Sequence, residues 1–314
     1  MKILIYGAGV IGSIFAAKLS IVGNNVTVLA RGQRLTEINN MGVIIRKANT
    51  KKEEKATVQT IETLLPDMKF DYVIITMQKM QVSSILECLS KNISQNIVFV
   101  INNASGYDDW VKAIGKERLM VGFPSAGGQR INGVVEYFIG KGLIRGFQTT
   151  TFGELNGENT QRVQNLIKMF CDAGIPTVFC SDMDAWQKTH VVMVTNIANA
   201  LYGYNCQNKL LARSYSDIKK MILGIKEGFA VLKKLNIKPK PKKLLFFNLP
   251  TWLLTICSKL LLGTKLAETT MVKHCIVAKS EMILLQSEFD VLIKKSGLAT
   301  PNIDSLKVNL NAGK

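Results

Sequence analysis

The sequence predicts an α/β protein, an N-terminal doubly wound parallel sheet followed by an all-helical domain. Three observations carry this expectation. Residues 2–31 read as strand, glycine-rich turn, helix and strand, and short apolar runs then alternate with helical stretches to about residue 180. Beyond Cys180 strand signals nearly vanish and helical periodicity takes over. A chain of 314 residues has the length for two domains. We place them at 1–181 and 182–314, with Ser181 or Asp182 as the helix N-cap at the junction.

The first element is an apolar strand, Lys2 to Tyr6, running into Gly7-Ala8-Gly9-Val10-Ile11-Gly12 and a helix over Ser13 to Ser20. A second strand, Val26 to Leu29, closes a βαβ unit of about 30 residues, the Rossmann-type fingerprint. In that fingerprint Gly7 permits the tight turn, Gly9 lets the backbone approach a pyrophosphate, and Gly12 lets helix and strand pack closely. The pyrophosphate would rest on the N–H groups that open the helix, where the macrodipole favours negative charge. The residue after the second strand selects the cofactor. An acid there would accept from the ribose hydroxyls of NAD, but the position is Arg31, followed by Arg34, with no acid until Glu37. A guanidinium suits a 2′-phosphate, so the reading is NADP(H).

Further strand-like runs follow at Gly42–Arg46, Ala56–Thr60, Tyr72–Thr76 and Ile97–Ile101, with a helix over Val82–Leu89. The runs at 72–76 and 97–101 are continuously apolar, as expected of central parallel strands buried on both faces. Leu119–Gly122, Val134–Ile139, Thr149–Gly153 and Pro176–Cys180 complete the strand signals, and helices are expected over Ala185–Tyr202, Asp217–Leu235 and Ala267–Ser296. The two domains would leave a substrate cleft between them.

Composition narrows the class. An apolar fraction of 47% with 20% charged residues is that of a globular protein. Six scattered cysteines without ligand spacing predict reduced thiols, no metal site and a cytoplasmic setting, and the run at Lys2–Tyr6 is too short for a secretory signal. The formal charge of +17 can concentrate anionic ligands, yet no nucleic-acid-binding motif accompanies it, so no nucleic-acid partner is expected. Lys238-Pro-Lys-Pro-Lys-Lys243 leads into an apolar stretch ending at Leu262. Interrupted by Asn248 and Pro250, this stretch is too short to span a bilayer, though peripheral contact through 238–262 is open to it. We read it as a hydrophobic helix covering the substrate cleft or a subunit interface, the latter implying a homodimer.

The helix opening the second domain carries the chemistry. Lys188, Val192, Asn196 and Asn199 share one stripe at 100° per residue, whereas His190 points elsewhere and is read as a packing or surface residue. A lysine there could donate a proton to a carbonyl oxygen as it becomes an alkoxide.

Together these residues resemble the ketopantoate reductase (2-dehydropantoate 2-reductase) family. The resemblance rests on the glycine fingerprint with Arg31, on Ile101-Asn-Asn103-Ala-Ser-Gly106, on Trp186-Gln-Lys188 with Asn196, and on Ser280-Glu281 before Thr300-Pro301. It implies NADPH as hydride donor and a small 2-oxo acid as substrate, 2-dehydropantoate above all. It further implies Lys188 as general acid with Glu281 as its positioning glutamate, and Glu288 as the competitor for that role. Asn103, Asn196, Asn199 and Thr270 would contact substrate, while Gln78 and Asn103 would join Gly7 to Gly12 and Arg31 at the cofactor. The chain departs from the pattern where Val192 replaces an asparagine expected at the substrate, where Thr269-Thr270 replaces a serine pair, and where Gln78 with Lys79 replaces a lysine. Two alternatives stay open: the same machinery acting on another 2-oxo acid or carbonyl compound, and an NADP(H)-binding redox sensor without turnover.

Replacing Arg31 tests the cofactor reading. Arg31→Glu is expected to weaken NADPH binding by about 1.5–3 kcal/mol, roughly ten- to hundredfold, and to improve NADH relative to it. Fluorescence titration checks this, and equal wild-type affinities for the two cofactors would refute it.

Overall fold

The computed structural model describes residues 1–48, 50, 52–140 and 149–310, apart from the side chains of Leu266, Thr269, Thr270, Lys273 and His274. The chain divides into two compact units. One comprises residues 1–101 and 107–183, the other residues 102–106 and 184–314. The division at 183/184 lies two residues beyond the expected junction, and the loop Asn102–Gly106 groups with the helices.

The first unit holds β1 (Lys2–Tyr6), β2 (Asn25–Leu29), β3 (Val43–Lys47), β4 (Glu53–Ala56), β5 (Gln59–Ile61), β6 (Tyr72–Ile75), β7 (Ile97–Val100), β8 (Leu119–Phe123), β9 (Ala126–Ile131), β10 (Val134–Ile139), β11 (Thr150–Glu154) and β12 (Thr177–Phe179). Its helices are α1 (Val10–Ile21), α2 (Gly32–Met41), α3 (Leu86–Lys91), α4 (Asp108–Ile114) and α5 (Gln161–Asp172). Eight strands form the main sheet in the order β12-β11-β8-β7-β6-β1-β2-β5, parallel except where β11 runs against β8. Alternation explains why its central strands are apolar throughout. Ile3, Ile5, Tyr72 and Ile74 enter one core cluster, and Leu4, Tyr6, Val73 and Ile75 enter another.

A second sheet, β4-β3-β10-β9, changes part of the expected topology. The run expected as one strand over Ala56–Thr60 is split. Its first residue ends β4, paired antiparallel to β3, while β5 returns to the edge of the main sheet beside β2. Arg46 holds β4 in place by pairing with Glu53 across the β3–β4 ladder. β9 carried no strand signal because Gly127 and Gly128 read as loop. Here Gly128 lies so close to β10 that an added Cβ would stand 2.0 Å from the Glu136 carbonyl oxygen. Asn132 and Gly133, both at positive φ, make the two-residue turn joining β9 to β10.

The second unit contains α6 (Met183–Tyr202), α7 (Asn208–Leu211), α8 (Tyr215–Lys234), α9 (Thr251–Leu262), α10 (Lys265–Ala267), α11 (Lys273–Val277), α12 (Lys279–Ser296) and α13 (Pro301–Lys307). The single helix expected over Ala267–Ser296 is interrupted by a π-helical turn at Glu268–Val272 and by Ala278. Ser214 caps α8 by accepting from the Asp217 N–H. Its hydroxyl and that of Tyr204 both donate to the Asp217 carboxylate, which holds that carboxyl below its ordinary range. Among the described residues no single helix is long and apolar enough to cross a membrane.

Two glycines on α8 decide how α6 packs. A Cβ on Gly224 would stand 2.3 Å from Asn196 Oδ1, and one on Gly228 would stand 2.4 Å from Val192 Cγ1. Val192 and Asn196, one turn apart, therefore press against the bare backbone of α8. This corrects the expectation that Val192 stands at the substrate. It is fully buried in the helix-packing core. Val192→Asn should consequently lower stability by about 1–3 kcal/mol, since it buries an amide where an isopropyl group packs. Urea unfolding measures this, and an unchanged midpoint would show that the side chain has room to turn outward.

Candidate functional site

In the first unit the glycine loop is built by close approach. Gly7 sits at φ 116°, and Thr76, just past β6, donates from its hydroxyl to the Gly7 carbonyl at 3.0 Å. A Cβ on Gly12 would fall 1.9 Å from that same carbonyl oxygen and 2.6 Å from Thr76 Oγ1. Gly9 is different. A Cβ there would meet nothing within 4 Å, so no contact within the protein demands a glycine at that position. α1 begins at Val10 without a side-chain cap and without an acid in its first turn. Uncapped N–H groups beside an open backbone fit a dinucleotide phosphate, to which Gly7, Ala8, Gly9, Val10, Ile11 and Gly12 would present main chain.

The two arginines after β2 have different surroundings. Arg31 is exposed at the N-cap of α2, and its Nε donates to the Glu62 carbonyl at 3.3 Å. Arg34 is buried and structural. It donates to the Ala8 carbonyl at 3.3 Å, to Ser13 Oγ at 2.9 Å and to the Gly133 carbonyl at 3.1 Å, and it pairs with Glu37 at 2.9 Å. Burial pulls its pKa below the ordinary value. With Glu37 committed to Arg34, the nearest acid along the chain after β2 is engaged. Gln78 lies exposed at the start of the 3₁₀ turn Lys79–Ile85. Thr76, Ser13 and Arg34 were not anticipated as supports of the loop. Only the hydroxyl following the apolar run of β6 could have hinted at the first.

In the helical unit Lys188 has a half-buried side chain, 12% exposed, and its Nζ lies 2.5 Å from Asp184 Oδ2. The pair is an i,i+4 contact on α6, so Asp184 was legible from its spacing. His190 stacks on Trp186, with ring centroids 5.5 Å apart, in keeping with a packing role. Glu281 on α12 accepts from Asn102 Nδ2 at 2.9 Å, and among the described residues no ion pair joins it to Lys188. Two turns further on, Glu288 accepts from the Ala104 N–H at 2.9 Å. The two glutamates thus hold the same loop from one helix face.

The asparagines separate by what they touch. Asn103 engages its own loop, donating to the Gly106 carbonyl at 2.7 Å and accepting from Ser105 N–H and Oγ. Its neighbour Asn102 keeps a buried Oδ1 without a hydrogen-bond partner, as do Asn196 and Asn199. The Asn196 oxygen lies against Gly224, and its amide donates to the Val192 carbonyl. Asn199 donates to Gln286, which continues to Asp290 and its ion pair with Lys307. The side chains of Thr269 and Thr270 lie outside the described residues.

A parallel sheet whose uncapped first helix stands beside an open glycine, continued by an all-helical unit, defines a class of Rossmann-type α/β proteins with a helical second unit. The family is narrower. Residues 3–157 match the family model described as ketopantoate reductase PanE/ApbA, and the chain belongs to the ketopantoate reductase family. A 2-dehydropantoate 2-reductase of Pyrococcus horikoshii is 28% identical over 204 residues, 64% of each chain. The match therefore spans less than two thirds of that relative's length. In fold, the chain is similar to a 2-dehydropantoate 2-reductase from Geobacter metallireducens, with TM-score 0.76, 16% identity and 100% of each chain covered. It is equally similar to D-mandelate dehydrogenase with NADH and anilino(oxo)acetate, with TM-score 0.78, 18% identity, and 99% of this chain and 97% of that one covered.

The loop geometry separates two glycine substitutions. Gly12→Ala should cost about 1–3 kcal/mol of stability, because backbone must move to admit the methyl group. Gly9→Ala should leave the melting temperature unchanged and weaken dinucleotide binding at least tenfold, because its methyl group would occupy the space for phosphate. Paired thermal melts and NADPH titrations check this, and normal binding by Gly9→Ala would show that phosphate does not approach there.

Proposed function

We propose that the protein reduces a 2-oxo acid to the 2-hydroxy acid with NADPH, and that 2-dehydropantoate, giving pantoate, is the leading substrate. Membership of the ketopantoate reductase family supports this reading. The observation that carries it is Lys188, an ammonium with only 12% of its side chain exposed, held by Asp184 near the start of α6. The glycine loop and the N-terminus of α1 would hold the pyrophosphate, and Arg31 would bind the 2′-phosphate. When bound, NADPH supplies the hydride that reduces the carbonyl carbon.

The chain's own groups do the rest. Lys188 Nζ hydrogen-bonds the carbonyl oxygen and gives it a proton as charge develops there, stabilising the nascent alkoxide. Asp184 keeps the ammonium in one rotamer. Glu281 is a positioning residue that orients Asn102, whose unpartnered Oδ1 can accept from a substrate hydroxyl. We assign this polar contact to Asn102 in place of Asn103, because the Asn103 amide is used within its own loop. One observation favours a second reading, a 2-oxo acid with fewer hydroxyls. Val192 and Asn196 are engaged against α8, so this part of α6 offers little to a polar substrate.

Steady-state assay of NADPH oxidation across 2-oxo acids, 2-dehydropantoate among them, tests the proposal. Lys188→Ala should lower kcat by ~10²–10⁴ while leaving NADPH affinity unchanged. A near-normal rate in that variant would reduce Lys188 to a structural partner of Asp184. Absence of turnover on every 2-oxo acid, with NADPH still bound, would favour a redox sensor.

A further inference from the structure

The segment between α8 and α10 is apolar on its outside. The 3₁₀ helix Lys242–Asn248 and α9 meet at an angle of 115°, and neither arm alone is long enough to span a bilayer. Leu254 and Leu262 of α9 face the core, while Trp252 is 57% exposed, Leu260 70% and Leu245 60%. On α9, Trp252, Ile256, Lys259 and Leu260 fall within an arc of about 100°. On the 3₁₀ arm, Lys242 and Leu245 eclipse one another. The face is fixed in place. Lys240 N–H donates to Thr189 Oγ1, Lys226 Nζ donates to the Leu249 carbonyl, and Asn208 donates to the Leu262 carbonyl.

Charge identifies the occupant. Residues 228–267 carry eight lysines and no acid. A second copy docked face to face would bring lysines against lysines, with no carboxylate in the segment to pair with them. An anionic lipid surface pairs with the lysines and also accepts the apolar stripe. Trp252 is the kind of side chain that sits at a headgroup boundary, and Lys259 can extend its ammonium back toward the phosphates.

We propose that the bent apolar face formed by Lys242–Asn248 and α9 docks peripherally on an anionic membrane surface, with Trp252, Ile256 and Leu260 inserted at the headgroup level. Docking is independent of the reductase reading.

The experiment is co-sedimentation of the full chain with vesicles of phosphatidylcholine alone and of phosphatidylcholine with 30% phosphatidylglycerol. Trp252 emission is the second readout, because Trp110 and Trp186 are buried. Binding to the anionic vesicles, a blue shift, and loss of both in 0.5 M salt are expected. Trp252→Ser combined with Leu260→Ser should lower partitioning at least tenfold with an unchanged melting temperature. Lys242→Gln with Lys243→Gln should lower it by about fivefold per lysine. Equal or absent binding to the two vesicle types would overturn the proposal. So would a concentration-dependent dimer that the Trp252→Ser, Leu260→Ser variant dissolves.

Discussion

The contact on which the first unit depends is the one between Gly12 and the carbonyl of Gly7. It brings the first turn of α1 against the end of β1, and Thr76 closes the triangle from the end of β6. Once α1 is seated there, its N–H groups and dipole point to the place where the chain turns at Gly9. Arg34 secures the arrangement from α2 by tying the Ala8 carbonyl and Ser13 together. A buried guanidinium with four partners belongs to the scaffold. Arg31, with the same chemistry three residues earlier, is left at the surface with its Nε on the Glu62 carbonyl.

The helical unit rests on a comparable economy of size. Gly224 and Gly228 let α6 lie against α8 so closely that Val192 and Asn196 fill the contact. This turns the inner stripe of α6 into packing and confines its accessible chemistry to the Lys188–Asp184 pair near the start of the helix. On α12, Glu281 and Glu288 grip the loop Asn102–Gly106, and Gln286 links Asn199 to Asp290 and Lys307. Buried polar atoms without partners are rare and costly, so the three free asparagine oxygens mark where this unit has retained polarity. Of the three, that of Asn102 is the one next to a carboxylate that can orient it.

Periodicity and glycine spacing determined most of the fold. The βαβ unit at residues 2–31, the fully apolar strands at 72–75 and 97–100, and the change to helices after residue 183 are written in local pattern, because burial on both faces and helical amphipathicity leave direct marks on sequence. The fingerprint, Arg31 and Lys188 were legible for the same reason: each lies at a fixed offset from an element whose position is legible. What tertiary structure decided was the partner of each side chain. The second sheet, the strand made from Ala126-Gly-Gly, the inward turn of Val192, the burial of Arg34 and the tie between Asn102 and Glu281 depend on backbones brought together by the fold, the last across 179 residues of chain. No local pattern encodes those meetings, since whether a glycine is a loop or a close contact, and whether an arginine binds or braces, depends on what lies opposite it.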